Sequence, residues 1–450
     1  MQEAEEQELN SVGTSVQRRD GLGHVKGQTD FVDDLNFQDL LHLKVVRSPV
    51  NHAEINNIDF SEAEKVPGYV DKLTAEDVPN NYYFILELIE GYEGADEPLI
   101  ADKKALYKGE PLAAVIAETP EAANEAAAMV EVDLTELEAV FDPEEAVADD
   151  APILKPWIGE NYFDYPSGMK RKVRFGDVEK GFEEADYIIE GRGDTSPIEH
   201  APTETTSATA KPEPNGRYKV FTNSQALHFS LNITHMVTQL PTHKLQMVGG
   251  TVGGGFGGKV DVIVEPMATV GAMKTGRPVR YKFNREEELQ ISSPRGAWRL
   301  YYKDGVTEDG DLVAREMTVY GDSGAYNRHS PYAGTKVLSQ LAGPYYIPNC
   351  KFDSILAYTN KQPSSAMRGF AVTGPSFANE VQMTKIAEEI GMDPMEFRMK
   401  NARRRGQQWP HRTEAQDASA VEVMQEAAKL AGIELSDELQ QMSSFEEVGQ

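Results

Sequence analysis

The sequence has one cysteine and few basic residues, and both shortages limit what the protein can be. Cys350 alone excludes an internal disulfide framework, and it cannot supply the four thiolates that an iron–sulfur cluster needs. The 44 Lys and Arg residues face 73 Asp and Glu residues, which gives a formal net charge of −29. The chain therefore has no basic surface with which to meet nucleic acid or an anionic membrane.

Long apolar runs are lacking as well. No stretch approaches the roughly 20 residues that cross a bilayer, and Met1–Glu8 is acidic, without the basic start and apolar centre of a signal peptide. With the single cysteine, these absences predict a cytoplasmic protein without a membrane partner. The nine histidines show no metal-binding pair spacing, so a metal ligated directly by the protein is not expected.

The patterning of the chain predicts five segments. Alternation of apolar and polar residues over Leu40–Arg47 indicates a strand, and Thr119-Pro120 is typical of a helix start, here of a helix to Met129. The segments are a mobile acidic arm (1–20), an α/β domain (21–144), a linker (145–172), a second domain (173–405) and a helical, acidic tail (406–450). At 450 residues, each of the two domains is long enough to have its own core.

Turn and cap residues define elements of the second domain. Asp309-Gly310-Asp311 separates two alternating runs and predicts a hairpin. Helical spacing over Pro375–Ile390 predicts one helix, and the capping box at Asp393 predicts a second that ends at Gly406.

The most informative stretch is the glycine loop, residues 253–259, which reads Gly-Gly-Gly-Phe-Gly-Gly-Lys. Glycine at this density leaves little side chain to pack and brings a high entropic cost on folding. A backbone that must come close to a bulky ligand, and offer it bare N–H groups, explains such a run. A purely structural turn is the alternative.

Two nucleotide-binding patterns fit the glycine loop only in part. A dinucleotide fingerprint needs a carboxylate about twenty residues further on, and Ala272–Gly276 contains none. A P-loop needs Ser or Thr after its lysine to bind magnesium, and that position is Val260. Both interpretations fail at a residue that their chemistry requires.

Several stretches resemble one known family, the molybdenum hydroxylases, which include xanthine dehydrogenase, aldehyde oxidase and nicotinate dehydrogenase. The glycine loop is similar to the family's molybdopterin-contacting loop, and Ser365–Phe370 is similar to its Arg-Gly-Phe segment. Val25–Leu35 and Gly109–Val115 resemble parts of its N-terminal domain. The resemblance covers about residues 15–405 and implies an α+β fold, in which a hammerhead-like α/β domain precedes the first molybdopterin-binding domain.

The resemblance also implies roles for the residues that match the family's cofactor site. Gln225 is expected to hydrogen-bond an oxo group on molybdenum. Gly255, Phe256 and Gly257 are expected to bring backbone amides close to the pterin, as pre-oriented dipoles. Arg368 is expected to contact the cofactor from the opposite side. Without the resemblance, Gln225 would be interpreted as an ordinary strand-end amide and Arg368 as a surface arginine.

The substrate pocket implied by the resemblance contains Phe370, Met367, Val260 and Lys336. Phe370 would stack on a flat aromatic substrate, although a core phenylalanine is the alternative. Purine-oxidising members have a glutamate where this chain has Val260, and a valine accepts no hydrogen bond. Lys336 stands where those members have an arginine and keeps only the charge. We therefore expect a small heterocyclic acid such as nicotinate rather than xanthine.

The expected partners follow from what the chain does not contain. Full-length family members continue past the Arg-Gly-Phe segment into a second half, which supplies more pterin contacts and a glutamate general base. No motif of that half follows Arg405. The chain is then either a fragment or one subunit of a split enzyme, and the split form, known in nicotinate dehydrogenase, is favoured.

The implied cofactor is molybdopterin with molybdenum, in its cytosine dinucleotide form. FAD and [2Fe-2S] clusters would lie on partner subunits, beside the second molybdopterin subunit. The implied reaction is hydroxylation of an electron-poor heterocycle with water as the oxygen source. Two alternatives stay open: a purine or aldehyde as substrate, and a non-catalytic scaffold that kept the fold.

Overall fold

The computed structural model describes residues 11–85, 96–165 and 171–445. Seventeen strands are found in these ranges: β1 Leu41–Arg47, β2 Ala53–Asp59, β3 Tyr69–Leu73, β4 Tyr82–Tyr83, β5 Glu97–Pro98, β6 Lys104–Ala105, β7 Pro111–Ala117, β8 Glu131–Glu136, β9 Lys172–Phe175, β10 Tyr187–Thr195, β11 Ser207–Pro212, β12 Tyr218–Thr222, β13 Leu245–Gly249, β14 Val279–Lys282, β15 Trp298–Val306, β16 Leu312–Gly324 and β17 Cys350–Tyr358.

Twelve α-helices are found in the same ranges: α1 Gly21–Val25, α2 Pro120–Ala128, α3 Pro143–Ala146, α4 Val178–Glu183, α5 Leu227–Thr238, α6 Val264–Thr275, α7 Arg285–Ile291, α8 Ser330–Leu338, α9 Thr373–Glu389, α10 Pro394–Asn401, α11 Ala420–Ala431 and α12 Asp437–Gln441. Within the described part of the chain, no helix is both long and apolar enough to cross a bilayer.

The largest sheet joins the two predicted domains. Its strand order is β13-β12-β11-β14-β1-β7-β3, and β1 pairs in parallel with β14 through Leu41 and Val279. One apolar core lies on this sheet and includes Leu43 and Ile116 from the predicted α/β domain with Val220 and Met267 from the predicted second domain. The boundary at residue 144 therefore does not separate two independent cores, because strands from both sides of it share one sheet.

A second sheet has the order β10-β15-β16-β17-β9 and is formed by the predicted second domain, apart from Lys172 at the start of β9. Its centre is the predicted hairpin: β15 and β16 pair antiparallel, and Gly310 in the turn has the left-handed backbone (φ +84°) that glycine tolerates. Helices α8 and α9 pack on this sheet and contribute Val337, Met383 and Ile386 to its core.

Local capping explains where two of the predicted helices begin. The Thr119 side chain accepts a hydrogen bond from the Ala122 N–H, and Pro120 is the first residue of α2. Asp393 caps α10 in the same way. This helix ends at Asn401, not at the predicted Gly406, because Ala402 is extended (ψ 137°) and pairs with Tyr345 as a β-bridge.

The predicted linker and tail are packed against the rest of the molecule. In residues 145–172, of which 166–170 lie outside the described residues, Leu154 and Phe163 are fully buried. In the tail, Val421 and Leu439 pack against Met399 of α10. Residues 11–20 of the predicted arm are exposed, and residues 1–10 lie outside the described part of the chain.

Candidate functional site

Two neighbouring parallel strands bring the glycine loop and Gln225 together. Strands β12 and β13 pair in parallel, so their carboxyl ends lie at the same edge of the sheet. Gln225 follows β12, and the glycine loop follows β13 and leads into α6. The crevice outside the carboxyl ends of parallel strands is a common position for ligand sites in α/β proteins.

The glycine loop has an unusual backbone. Gly254 (φ +102°), Phe256 (φ +52°) and Gly257 (φ +104°) all lie in the left-handed region. For a phenylalanine this conformation costs about 1 kcal/mol or more, and strain of this kind is concentrated at functional sites. Phe256 is nevertheless 48% exposed, so burial of its ring in the chain's own core does not account for the strain.

Three glycines of the loop are in close contact with three different segments. A Cβ atom at Gly255 would lie 2.4 Å from Gln225 Oε1, and one at Gly257 would lie 2.7 Å from the Ala366 carbonyl oxygen. At Gly258 it would lie 2.8 Å from His200 Nδ1. Any side chain at these positions would push the glycine loop away from the segments that surround it.

The hydrogen bonds of Gln225 fix the direction of its amide. Its Oε1 atom accepts from the N–H of Gly257 (2.9 Å) and the N–H of Lys259 (3.4 Å). Because the oxygen is held by the loop, the NH₂ group is left as a donor on the exposed side of Gln225.

The loop also has unused donors. The backbone N–H groups of Gly254, Gly255 and Phe256 have no hydrogen-bond partner within the described ranges, whereas Gly253, Gly257 and Gly258 all donate. These three adjacent N–H groups and the NH₂ group of Gln225 are all available to an acceptor-rich ligand, and together they are called the donor cradle below.

The segment of Arg368 closes one side of this cradle. The Arg368 N–H donates to the carbonyl oxygen of Phe256 at 2.8 Å, and the Arg295 guanidinium donates to the Arg368 carbonyl. Arg368 itself is exposed and Met367 is half-buried. The structure thus places the Arg368 segment directly against the glycine loop.

Two of the predicted substrate residues, Lys336 and Phe370, lie close to each other. Lys336 Nζ lies 5.6 Å from the centre of the Phe370 ring, within the range of a cation–π contact. Phe370 is half-buried against the second core, and Lys336 is exposed on α8. Val260 is half-buried at the end of the glycine loop.

Sequence reasoning missed the acidic anchor behind the glycine loop. One oxygen of Glu204, Oε2, accepts from the Gly253 N–H (2.7 Å) and from Lys259 Nζ (2.8 Å), so it holds both ends of the loop. Burial lowers the pKa of Lys259, and the neighbouring Glu204 carboxylate opposes that effect. Nothing local distinguishes Glu204 from the other acidic residues, because its partners lie about 50 residues away along the chain.

Sequence reasoning also missed His200, Asp261, His329 and Ser365. His200 Nε2 lies 2.8 Å from the Ala366 carbonyl oxygen. Asp261 follows Val260 directly and contacts both His329 and Ser365. The available signals were the position of Asp261 beside the glycine loop and that of Ser365 at the start of the Arg-Gly-Phe segment, but neither gave a role to the side chain.

Comparisons with known proteins agree with this geometry. A profile described as the molybdopterin cofactor-binding domain matches residues 162–402, more than half of the chain. A second, described as the aldehyde oxidase and xanthine dehydrogenase a/b hammerhead domain, matches residues 26–138. The chain therefore belongs to the molybdenum hydroxylase family of oxidoreductases, as a molybdopterin-binding chain. The predicted α+β fold, hammerhead segment first, is confirmed.

Individual relatives make the likeness more specific. The chain is 31% identical over 395 residues to the nicotinate dehydrogenase large molybdopterin subunit of Eubacterium barkeri, which covers 88% of this chain and 90% of that protein. It is 31% identical over 389 residues to a probable xanthine dehydrogenase subunit of Bacillus subtilis, and the match covers 86% of this chain and 50% of that protein. The aldehyde oxidoreductase structure from Desulfovibrio gigas matches with a TM-score of 0.84 and 30% identity, and the match covers 92% of this chain and 46% of that one.

The chain thus spans about half the length of two of these relatives and most of the first. The residues of the cradle fit a molybdopterin ligand, because three free backbone N–H groups, the Gln225 amide and the Arg368 guanidinium are all donors. The nearby carboxylate of Glu204 is already paired with Lys259. No cluster of three or more His, Cys, Asp or Glu side chains suited to a metal ion occurs in the described ranges.

Proposed function

We propose that this chain is the molybdopterin-binding subunit of a multi-subunit hydroxylase that acts on an electron-poor N-heterocycle with a carboxylate, such as nicotinate. One observation carries the proposal: the donor cradle at the glycine loop adjoins the Arg368 segment, and the Phe370 ring of that segment lies 5.6 Å from Lys336 Nζ of α8. The likeness to a nicotinate dehydrogenase subunit over 90% of its length supports it.

The chain's own residues bind and orient the cofactor. The N–H groups of Gly254, Gly255 and Phe256 would hold acceptor atoms of the pterin or an oxo ligand, and the NH₂ group of Gln225 would donate to that oxo ligand. Arg368 would add a fixed positive charge. The bound cofactor supplies the metal at which oxygen from water is transferred to a ring carbon.

The substrate side of the proposal depends on three residues. The Phe370 ring offers a flat surface on which a pyridine ring would stack. Lys336 would pair with the carboxylate as a point charge. Val260 offers no hydrogen-bond acceptor to orient a purine, so the pocket favours a small acid over xanthine.

Other parts of the reaction would come from partner chains. A second molybdopterin subunit would complete the site and supply a glutamate general base, which must stand within hydrogen-bond reach of the proton it removes. An iron–sulfur subunit with [2Fe-2S] clusters and an FAD subunit would carry electrons away. We expect the cofactor in its cytosine dinucleotide form and the complex in the cytoplasm.

The test is to co-express the chain with the products of its neighbouring genes and purify the complex. We expect about one molybdenum per chain, and turnover of nicotinate well above that of hypoxanthine or an aldehyde. As a matched variant, Lys336→Met removes the charge and keeps the apolar stem. It should raise KM for nicotinate about tenfold or more and leave a neutral pyridine unaffected, because only the acid uses the charge.

Two results would contradict the proposal in different ways. A complex that contains molybdenum and turns over hypoxanthine but not nicotinate would contradict the proposed substrate and favour a purine enzyme. A folded complex that contains no molybdenum would overturn the enzymatic role and favour a scaffold subunit.

A further inference from the structure

We propose that Asp261, His329 and Ser365 form a buried polar hub. Its function is to hold the walls of this site, namely the glycine loop, the Arg368 segment and helix α8, at a fixed spacing. They are positioning residues, since they act through the segments that they join. The proposal rests on the proposed function for what the site binds. The contacts themselves are independent of it.

One carboxylate oxygen is the centre of the hub. Asp261 Oδ1 accepts from His329 Nδ1 at 2.5 Å and from Ser365 Oγ at 2.8 Å. His329 Nδ1 and Ser365 Oγ are themselves 3.2 Å apart. All three residues are at least 95% buried, so water does not compete for these bonds.

Each member of the hub belongs to a different wall. Asp261 directly follows Val260 and the glycine loop. Ser365 lies three residues before Arg368, and its N–H donates to the Pro294 carbonyl oxygen. His329 directly precedes α8, which carries Lys336 two turns further on. A shift of any one member would therefore move a wall of the site.

The His329 ring reaches a fourth element. Its centre lies 5.4 Å from the ring of Phe229, one helical turn after Gln225 at the start of α5. On the other side it stacks on Tyr332 at 6.3 Å. The hub thus contacts the segments that carry Val260, Lys336 and Arg368, and the helix that begins shortly after Gln225.

The charge state of Asp261 determines which groups of the hub donate hydrogen bonds and which accept them. Burial alone would raise the pKa of Asp261, but the charge and hydrogen bond of His329 keep that pKa below its ordinary value. An ionised carboxylate only accepts hydrogen bonds. His329 Nδ1 must then carry a proton, and the Ser365 hydroxyl must point toward Asp261.

Stability alone does not explain these residues. His329 Nε2 is buried and has no hydrogen-bond partner in the described part of the chain, and a buried polar atom without a partner is destabilising. Buried charged pairs are also often less stable than apolar side chains of the same volume. What a polar hub adds is orientation, because its hydrogen bonds fix the angle and distance between the segments.

Two substitutions of similar size separate orientation from packing. His329→Asn and His329→Leu leave comparable empty volume, but only asparagine can donate to Asp261 near the position of Nδ1. In the full chain without partners, we expect amide hydrogen exchange of residues 253–259 and 365–370 to speed up about tenfold in His329→Leu and to stay near wild type in His329→Asn. Ser365→Ala, which leaves a smaller void, is expected to speed up the same two segments.

In the assembled enzyme, His329→Leu should lower kcat about tenfold or more and also raise KM for the acid, because misplaced walls affect both the reacting geometry and the position of Lys336. His329→Asn should rescue most of kcat. Equal exchange in the two segments for wild type, His329→Leu and Ser365→Ala would overturn the hub. The exchange result does not depend on the substrate or on molybdenum, so failure of the proposed function leaves this test intact.

Discussion

At the scale of single residues, the glycines of the loop have different functions although their backbones are alike. Gly254 and Gly257 have nearly the same left-handed φ, +102° and +104°. A Cβ at Gly254 would meet only ordinary contacts at 3.4 Å, whereas one at Gly257 would lie 2.7 Å from the Ala366 carbonyl oxygen. The pair therefore separates backbone strain from the close approach of the Arg368 segment.

We predict that Gly257→Ala lowers the free energy of unfolding more than Gly254→Ala does. Both variants bear the strain of a left-handed alanine, about 1–3 kcal/mol. Gly257→Ala adds a clash with backbone that cannot rotate away, worth about another 1–3 kcal/mol. Chemical denaturation of the two variants measures the difference. Equal losses would contradict a rigid contact between the glycine loop and residues 366–367.

Much of the site at this scale was accessible from motifs. The resemblance selects Gln225, Phe256 and Arg368, and the structure brings them together, while their roles toward a cofactor stay predictions. Glu204 and His329 were not accessible, because their partners lie far away in the chain. A single acid or histidine has no local pattern that reveals a distant partner.

At the scale of elements, local signals predict most boundaries to within about two residues and fail where a tertiary contact sets the boundary. Strand β1 and helices α2 and α10 start within a residue of the prediction. Helix α6 has no amphipathic pattern, since Val264–Ala272 is buried on all sides, and the periodicity of apolar residues cannot identify a helix of that kind. The early end of α10 depends on a β-bridge to Tyr345, which is a tertiary contact.

Helix α11 tests whether the tail is an integral part of the fold. Val421 is fully buried, and Val423 on the same helix is 63% exposed. We predict that Val421→Ala lowers the free energy of unfolding by about 2 kcal/mol, through lost burial and a cavity. Val423→Ala should change it by less than about 0.5 kcal/mol. Thermal or chemical denaturation compares them, and similar small effects would mean that the tail is not part of the cooperative unit.

At the scale of the whole molecule, a buried carboxyl joins the predicted α/β domain to the predicted second domain. Glu110 accepts from the Tyr326 hydroxyl and from the Leu106 N–H, both at 2.5 Å. Burial raises the pKa of Glu110 from 4.5 to about 7. The folded protein therefore binds a proton here in a pH range where the unfolded chain has released it.

The sign of the resulting pH dependence follows from that difference. Because the folded-state pKa is the higher one, the contribution of Glu110 to the free energy of unfolding falls as pH rises from about 4.5 to 7. The loss is about 3 kcal/mol, since one pKa unit corresponds to about 1.4 kcal/mol. Glu110→Gln stays neutral and should lack this component. Denaturation at several pH values measures it, and parallel pH profiles for the two proteins would contradict a raised pKa.

The shared seven-stranded sheet has a consequence for how the chain is made. Strand β1 leaves the ribosome about 240 residues before β14, its parallel partner. At roughly 5–20 residues per second of synthesis, the nascent strand waits about 10–50 seconds for that partner. During this time one edge of β1 is open and its apolar face is uncovered, which makes the unfinished chain a substrate for chaperones and a risk for aggregation.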